Sequence, residues 1–183
     1  MKAPLLVETP RLTLSAPDAT DAELVFQRYA GDDNVTKYVG WPTHRTVADT
    51  QAFLAFSAEQ WERDEAGPYL IWARADGQLL GGTGLGLEPD GQAITGYVLA
   101  VDAWGKGYAT EALTAMVEVA TDIRVRQLYA LCHAQHQASS RVLEKCGFAR
   151  DASWDRPVEF PNLAVGKPTE VLCYRRGLLD RRS

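Results

Sequence analysis

The sequence predicts an α/β fold: one mixed, mostly antiparallel sheet with helices on both faces. Three observations predict it. Three apolar runs between residues 68 and 101 are joined by tight-turn signals, Asp76-Gly77 and Pro89-Asp90-Gly91, which read as an antiparallel meander. Segments with apolar residues at helical spacing both precede and follow that meander. At 183 residues, with no repeat, linker or low-complexity tract, the chain reads as one domain, residues 1–183.

In chain order, Arg11–Ser15 alternates and predicts a first strand. Asp18 and Asp21 open a helix with Ala22, Val25, Phe26 and Tyr29 on one face, and Gly31 ends it. Residues 32–46 form a loop. Thr46 with Asp49 three residues on is a capping-box variant. It opens a second helix to about Glu65, with Leu54, Ala58 and Trp61 together and Phe53 and Phe56 assigned to the core. The strands 68–75, 78–88 and 93–101 follow. A helix then carries Ala112, Leu113, Met116, Val117 and Ala120. A strand over 127–134 and a helix from Gln137 to Cys146, closed by Gly147, come next. Two strands, 148–154 and 169–176, flank a proline-containing loop.

Composition narrows the function. Lysine and arginine number 19 against 24 acidic residues, a net charge of −5, which argues against nucleic acid as a partner and suits a cationic small substrate better. Three cysteines, Cys132, Cys146 and Cys173, at no framework spacing read as free thiols of a cytoplasmic protein. The N-terminus lacks the apolar core of a signal peptide, and no run approaches the ~18 apolar residues of a membrane helix, so no membrane partner is expected. No metal is expected: Cys132, His133, His136 and Cys146 fit no common zinc spacing. The glycines at 81, 82, 84 and 86 sit inside a strand, where a bulge or close backbone approach explains them better than a phosphate loop.

The most informative stretch is residues 97–112, where a buried strand runs into Trp104-Gly105-Lys106-Gly107-Tyr108-Ala109-Thr110 and a helix begins. Two glycines allow a ligand to approach the backbone, and first-turn amides with the helix dipole form an anion site suited to a pyrophosphate. Spacing alone leaves this reading level with that of a plain strand-to-helix turn. A dinucleotide fingerprint is excluded by the missing third small residue and by the lack of an acidic residue ending the next strand.

That stretch resembles the acyl-CoA-binding motif Q/R-x-x-G-x-G/A of the GNAT N-acetyltransferase superfamily, with Trp104 in place of the first Gln/Arg. His136 to Phe148, HQASSRVLEKCGF, resembles the second motif N-x-x-S-x-x-V-L-x-K-x-G-F. The N-terminal ETPRLTL and the segment YVGWPTHRTVADTQAFL resemble the RimJ/RimL-type branch, which acetylates ribosomal-protein N-termini.

The resemblance implies a central pair of strands, 97–101 and 128–134, that splay into a V-shaped slot. Pantetheine would lie along the backbone of Leu99, Ala100 and Val101. The pyrophosphate would sit on the turn Gly105, Lys106, Gly107, Tyr108, Ala109 and Thr110, and His136 and Ser139 would touch the pantetheine arm. It implies transfer of an acetyl group from acetyl-CoA to a primary amine in a ternary complex, with a small-molecule amine or a protein N-terminus as acceptor and a homodimer left open. Ser139 is the expected acid at the sulfur, and Glu88, Asp102 and His133 are candidate bases, with a water relay as the alternative. A free backbone N–H near Leu99 or Ala100 is the expected oxyanion donor. Tyr38 and Trp41, on a loop with His44, are assigned to the acceptor site, with simple loop packing as the alternative. Trp104 is expected to pack beneath the turn.

Three departures stand out. His136 replaces the usual Asn, Leu143 stands where many relatives carry a Tyr acid, and Ile94-Thr95-Gly96-Tyr97 lacks the usual Glu. The rival reading is therefore a catalytically silent module that binds acyl-CoA.

Overall fold

A computed structural model describes residues 1–178; the last five residues of the expected domain lie outside the described residues. Among the described residues, nine strands form one sheet: β1 (Leu6–Glu8), β2 (Leu12–Ser15), β3 (Pro68–Ala73), β4 (Leu79–Glu88), β5 (Gln92–Leu99), β6 (Gln127–His133), β7 (Ala149–Arg150), β8 (Arg156–Glu159) and β9 (Pro168–Gly177). Their order is β1-β2-β3-β4-β5-β6-β9-β7, with β8 also pairing with β9. Every pairing is antiparallel except β5 with β6.

The meander has the expected turns, with Gly77 and Gly91 at positive φ. Gly81 in β4 is a close-approach glycine: a Cβ there would stand 2.0 Å from the Val98 carbonyl oxygen. The β3–β4 register shifts at the same level, between Ile71 and Trp72.

Helices cover both faces. Alternate β3 residues separate into two cores, as a two-residue side-chain period requires. Tyr69 and Ile71 pack with Leu113, Met116 and Ala120 of helix α4 (Tyr108–Asp122). Leu70 packs with Val25 and Tyr29 of the first helical segment. That segment begins as α1 (Ala22–Val25) and widens into a π-turn, Phe26–Ala30, before Gly31.

Several elements depart from expectation. β1, a short helix α2 (Asp33–Thr36) and β8 are additional. The strand expected at 148–154 shrinks to β7, because Asp151 accepts a hydrogen bond from the Ser153 N–H and caps a 3₁₀ turn. Helix α3 (Val47–Asp64) starts at the Thr46–Asp49 capping box. Its buried stripe is Thr50, Leu54, Ser57 and Trp61, whereas Ala58 faces solvent. Trp61 is core, but Phe56 is 54% exposed and Phe53 half-buried, so these two rings are not core. The last α-helix among the described residues is α5 (Gln137–Lys145).

Candidate active site

The parallel pair β5–β6 is joined for three residues only, Gln92 with Gln127, Ala93 with Leu128 and Ile94 with Tyr129, and then diverges. Ala100 donates its N–H to Leu80, 2.8 Å away, so by the alternation of an antiparallel ladder Tyr97 and Leu99 turn their N–H and C=O groups toward β6. Beyond Ile94 those groups face an open slot instead of a neighbouring strand.

This edge differs from the expected one at its far end. The Ala100 N–H is committed to Leu80, and Val101 lies in a 3₁₀ turn after β5 has ended at Leu99. The free amide sought near Leu99 or Ala100 is therefore that of Leu99. Trp104 does not pack beneath the turn. Its ring is half exposed at the slot mouth, and its indole N–H donates to the Leu99 carbonyl oxygen at 2.7 Å.

β5 leads into the glycine turn. Gly105 has φ 72° and Gly107, the N-cap of α4, φ 81°, conformations that favour glycine. The first-turn amides of the 15-residue α4 begin at that turn, a ready anion site. The N-terminal segment holds the turn in place. Glu111 accepts hydrogen bonds from the Thr9 hydroxyl (2.6 Å), the Arg11 N–H (2.8 Å) and the Arg11 guanidinium (2.6 Å). Burial pushes the Glu111 carboxyl up, but these bonds outweigh it and hold the group below the ordinary carboxylate range. Arg11 also donates to the Lys106 carbonyl oxygen at 2.9 Å and lies over the Tyr108 ring. Its guanidinium thus stands beside the turn, a cation that the reading of residues 104–110 alone missed. The Thr-Pro-Arg segment ahead of β2 was its only sequence signal.

Across the slot, α5 brings Ser139 to β5. The Tyr97 phenol donates to the Ser139 carbonyl oxygen at 3.0 Å and lies 2.9 Å from the Ser139 hydroxyl. With its one proton on the carbonyl, Tyr97 receives the serine proton. Burial first, only partly offset by Ser139, raises the Tyr97 pKa and keeps the phenol protonated. Ser139 is therefore bonded to a side chain in the slot and does not cap its own helix. His136 is the N-cap of α5 and makes no side-chain capping bond.

The slot continues into a cavity of about 1180 Å³. Its second wall is aromatic. The Tyr38 ring stacks on both His133 and His136, with 4.9 Å between centroids in each case, and Phe160 meets His133 edge-on. Trp41 lies against His44, and His44 against Phe53. Asn162 clips the loop carrying Tyr38 and Trp41 to the β8–β9 connection. Its side-chain oxygen accepts from the Thr43 N–H and hydroxyl, and its amide donates to the Thr36 and Trp41 carbonyls.

Of the candidate bases, only His133 lines the cavity. Glu88 accepts the Tyr129 hydroxyl at 2.6 Å, beside the closed end of the β5–β6 pair. Asp102 is ion-paired with Arg28, whose hydrogen bond lowers its pKa. Burial lowers the pKa of all three cavity imidazoles, helped by Lys37 at His133 and by His133 at His136. The His133 Nδ1 already accepts the Gln135 N–H, and the His44 Nδ1 lies 2.8 Å from the Thr50 hydroxyl. Among the described residues no hydrogen bond engages the His136 ring, and the residue lines the cavity.

Among the described residues no three His, Cys, Asp or Glu side chains gather as a metal site, and no helix is long and apolar enough to cross a membrane.

Comparison with known proteins bears on this geometry. Residues 11–149 match the family model described as "Acetyltransferase (GNAT) domain". The Bacillus licheniformis protein named "Uncharacterized N-acetyltransferase p20" is 25% identical over 146 residues, 78% of this chain and 82% of that protein. RimL, described as a ribosomal L7/L12 alpha-N-protein acetyltransferase and solved in complex with coenzyme A, superposes with a TM-score of 0.82 at 21% identity, covering 96% of this chain and 98% of its own. A GNAT-family acetyltransferase from Bacillus anthracis gives 0.80 at 20% identity, covering 94% and 98%.

Proposed function

The chain belongs to the GNAT acetyltransferase family, and on that premise we propose that its slot carries out acetyl transfer from acetyl-CoA to a primary amine as follows. One observation carries the reading: the unpaired edge of β5 at Tyr97 and Leu99 ends on a turn with two left-handed glycines at the start of α4. An extended chain of amides fits the edge, and a pyrophosphate fits the turn, with Arg11 and Lys106 beside it.

The amine nitrogen bonds to the thioester carbonyl carbon and the carbon–sulfur bond breaks. The Leu99 N–H serves the oxyanion. His136 takes the proton that the amine must shed, since burial biases its ring toward the neutral form and no hydrogen bond engages that ring among the described residues. Ser139 turns its hydrogen from the Tyr97 phenol to the departing sulfur. A thiolate whose conjugate acid has a pKa of about 8.5 needs little more than that.

Finer points rest on the same reading. We take residues 1–183 as one acetyltransferase domain. The RimJ/RimL-like overall shape supports a protein N-terminus among the acceptors. Three buried thiols, unpaired among the described residues, support a cytoplasmic setting.

The test is thiol release from acetyl-CoA against a mixed panel of amines, with mass spectrometry of the acceptor. Amine-dependent release with an acetylated product is expected. Acetyl-CoA binding without release would make the protein a silent acyl-CoA module.

A further inference from the structure

The chain carries more acidic than basic residues, yet the cavity does not share that acidity. Among the described residues that line it there is no Asp or Glu. Its one charged side chain is Lys37, which lies 5.1 Å from the centre of the Tyr38 ring and has no carboxylate within ion-pair distance among the described residues. The lining also includes Trp41, Phe53, Phe56 and Phe160, together with imidazoles biased toward their neutral forms. The volume exceeds the roughly 300–1,000 Å³ of a typical single-ligand site, leaving room for a second molecule beside a pantetheine arm.

We infer that the acceptor is a weakly basic primary amine carried on an apolar, aromatic body, and that polycationic amines are poor acceptors. The inference rests on the acetyl-transfer reading and adds the chemical class of its second substrate. It departs from the expectation, drawn from net charge, of a cationic substrate.

The physical reason is desolvation. An ammonium that enters this cavity loses water and meets no counter-charge, which is costly. A polyamine brings several such charges past Lys37. An α-amino group ionises with a pKa of about 7.8 and a lysine-type amine at about 10.4, so at pH 7.5 roughly a third of the first is neutral against about a thousandth of the second. The first therefore reaches the thioester already uncharged, and its aromatic body replaces water on the walls of Trp41, Phe53 and Phe56.

The experiment measures kcat/KM at saturating acetyl-CoA for L-phenylalanine amide, L-alanine amide, phenethylamine and spermidine. At pH 7.5 phenylalanine amide is expected to exceed both spermidine and alanine amide at least tenfold. From pH 7.5 to 9 phenethylamine should close on phenylalanine amide by roughly tenfold, as its neutral fraction grows faster. Phe56→Glu, at an exposed position on the cavity wall, should raise the use of spermidine relative to phenylalanine amide several-fold.

Spermidine used as well as phenylalanine amide would overturn the acceptor class and leave acetyl transfer standing. Alanine amide used as well would overturn the aromatic body. If no acceptor releases thiol while acetyl-CoA still raises the melting temperature, the transferase reading fails and this inference with it.

Discussion

The phenol of Tyr97 and the hydroxyl of Ser139 lie 2.9 Å apart across the slot, joining β5 to the first turn of α5. The pair stands where the two strands have parted, so the serine has a partner that can follow its proton. Ser139→Ala should lower kcat on the order of tenfold to a thousandfold with little change in acetyl-CoA affinity, since the bond to sulfur strengthens as charge develops there. Tyr97→Phe should show a smaller loss in the same direction. A fall in melting temperature with full turnover would reduce Ser139 to a structural tie.

Glu111 gathers Thr9 and Arg11 against the glycine turn. Glu111→Gln keeps the size of the group and removes its charge, which leaves the guanidinium held at the turn by the Lys106 carbonyl alone. The Kd for acetyl-CoA should rise about tenfold, equivalent to about 1.4 kcal/mol. Calorimetric titration checks this, and an unchanged Kd would leave Arg11 with no part in phosphate binding.

Asn162 holds buried Thr36 and Thr43 and the Trp41 carbonyl, four hydrogen bonds in all. Asn162→Ala leaves buried polar groups unmet and should cost about 1–3 kcal/mol of stability. Because the clip positions the Tyr38–Trp41 loop, KM for the amine should rise while the Kd for acetyl-CoA stays constant. Equal loss of both would mean that the clip only supports the fold.

Acidification should destabilise the protein before its carboxylates titrate. His44, His133 and His136 have folded pKa values below their unfolded value of 6.5, through burial first. The stability they confer is complete above about pH 6.5 and is lost as pH falls through the lowered folded values. The melting temperature should drop between pH 7.5 and 5.5, and His136→Asn should flatten that slope. An unaltered slope would mean that His136 is not held neutral by the fold.

Local chemistry made much of this fold legible in the sequence. The meander announced itself through its turn residues and α3 through the Thr46–Asp49 box, since both signals act within a few residues. The glycine turn was legible for the same reason. The three-residue β1 and the four-residue β8 were not, because such short runs carry no period and depend on the strands they join. The Tyr97–Ser139 pair spans 42 positions and the Thr43–Asn162 clip 119, so only the folded chain brings them together. Phe53 and Phe56 misled because an aromatic ring on a helix reads equally well as core and as cavity wall.

The most direct measurement is calorimetric titration of acetyl-CoA into the wild-type protein and Gly107→Asp, each followed by thermal melting. Aspartate is among the residues that tolerate the left-handed backbone of position 107, and its Cβ would stand 3.4 Å from the Arg11 guanidinium, an ordinary contact. The variant should therefore fold while placing a carboxylate in the phosphate cradle. Wild type is expected to bind, and to gain about 2.7 kcal/mol of stability at a hundredfold excess over Kd. The folded variant is expected not to bind. Equal binding by both would contradict the assignment of residues 105–110 as the pyrophosphate site.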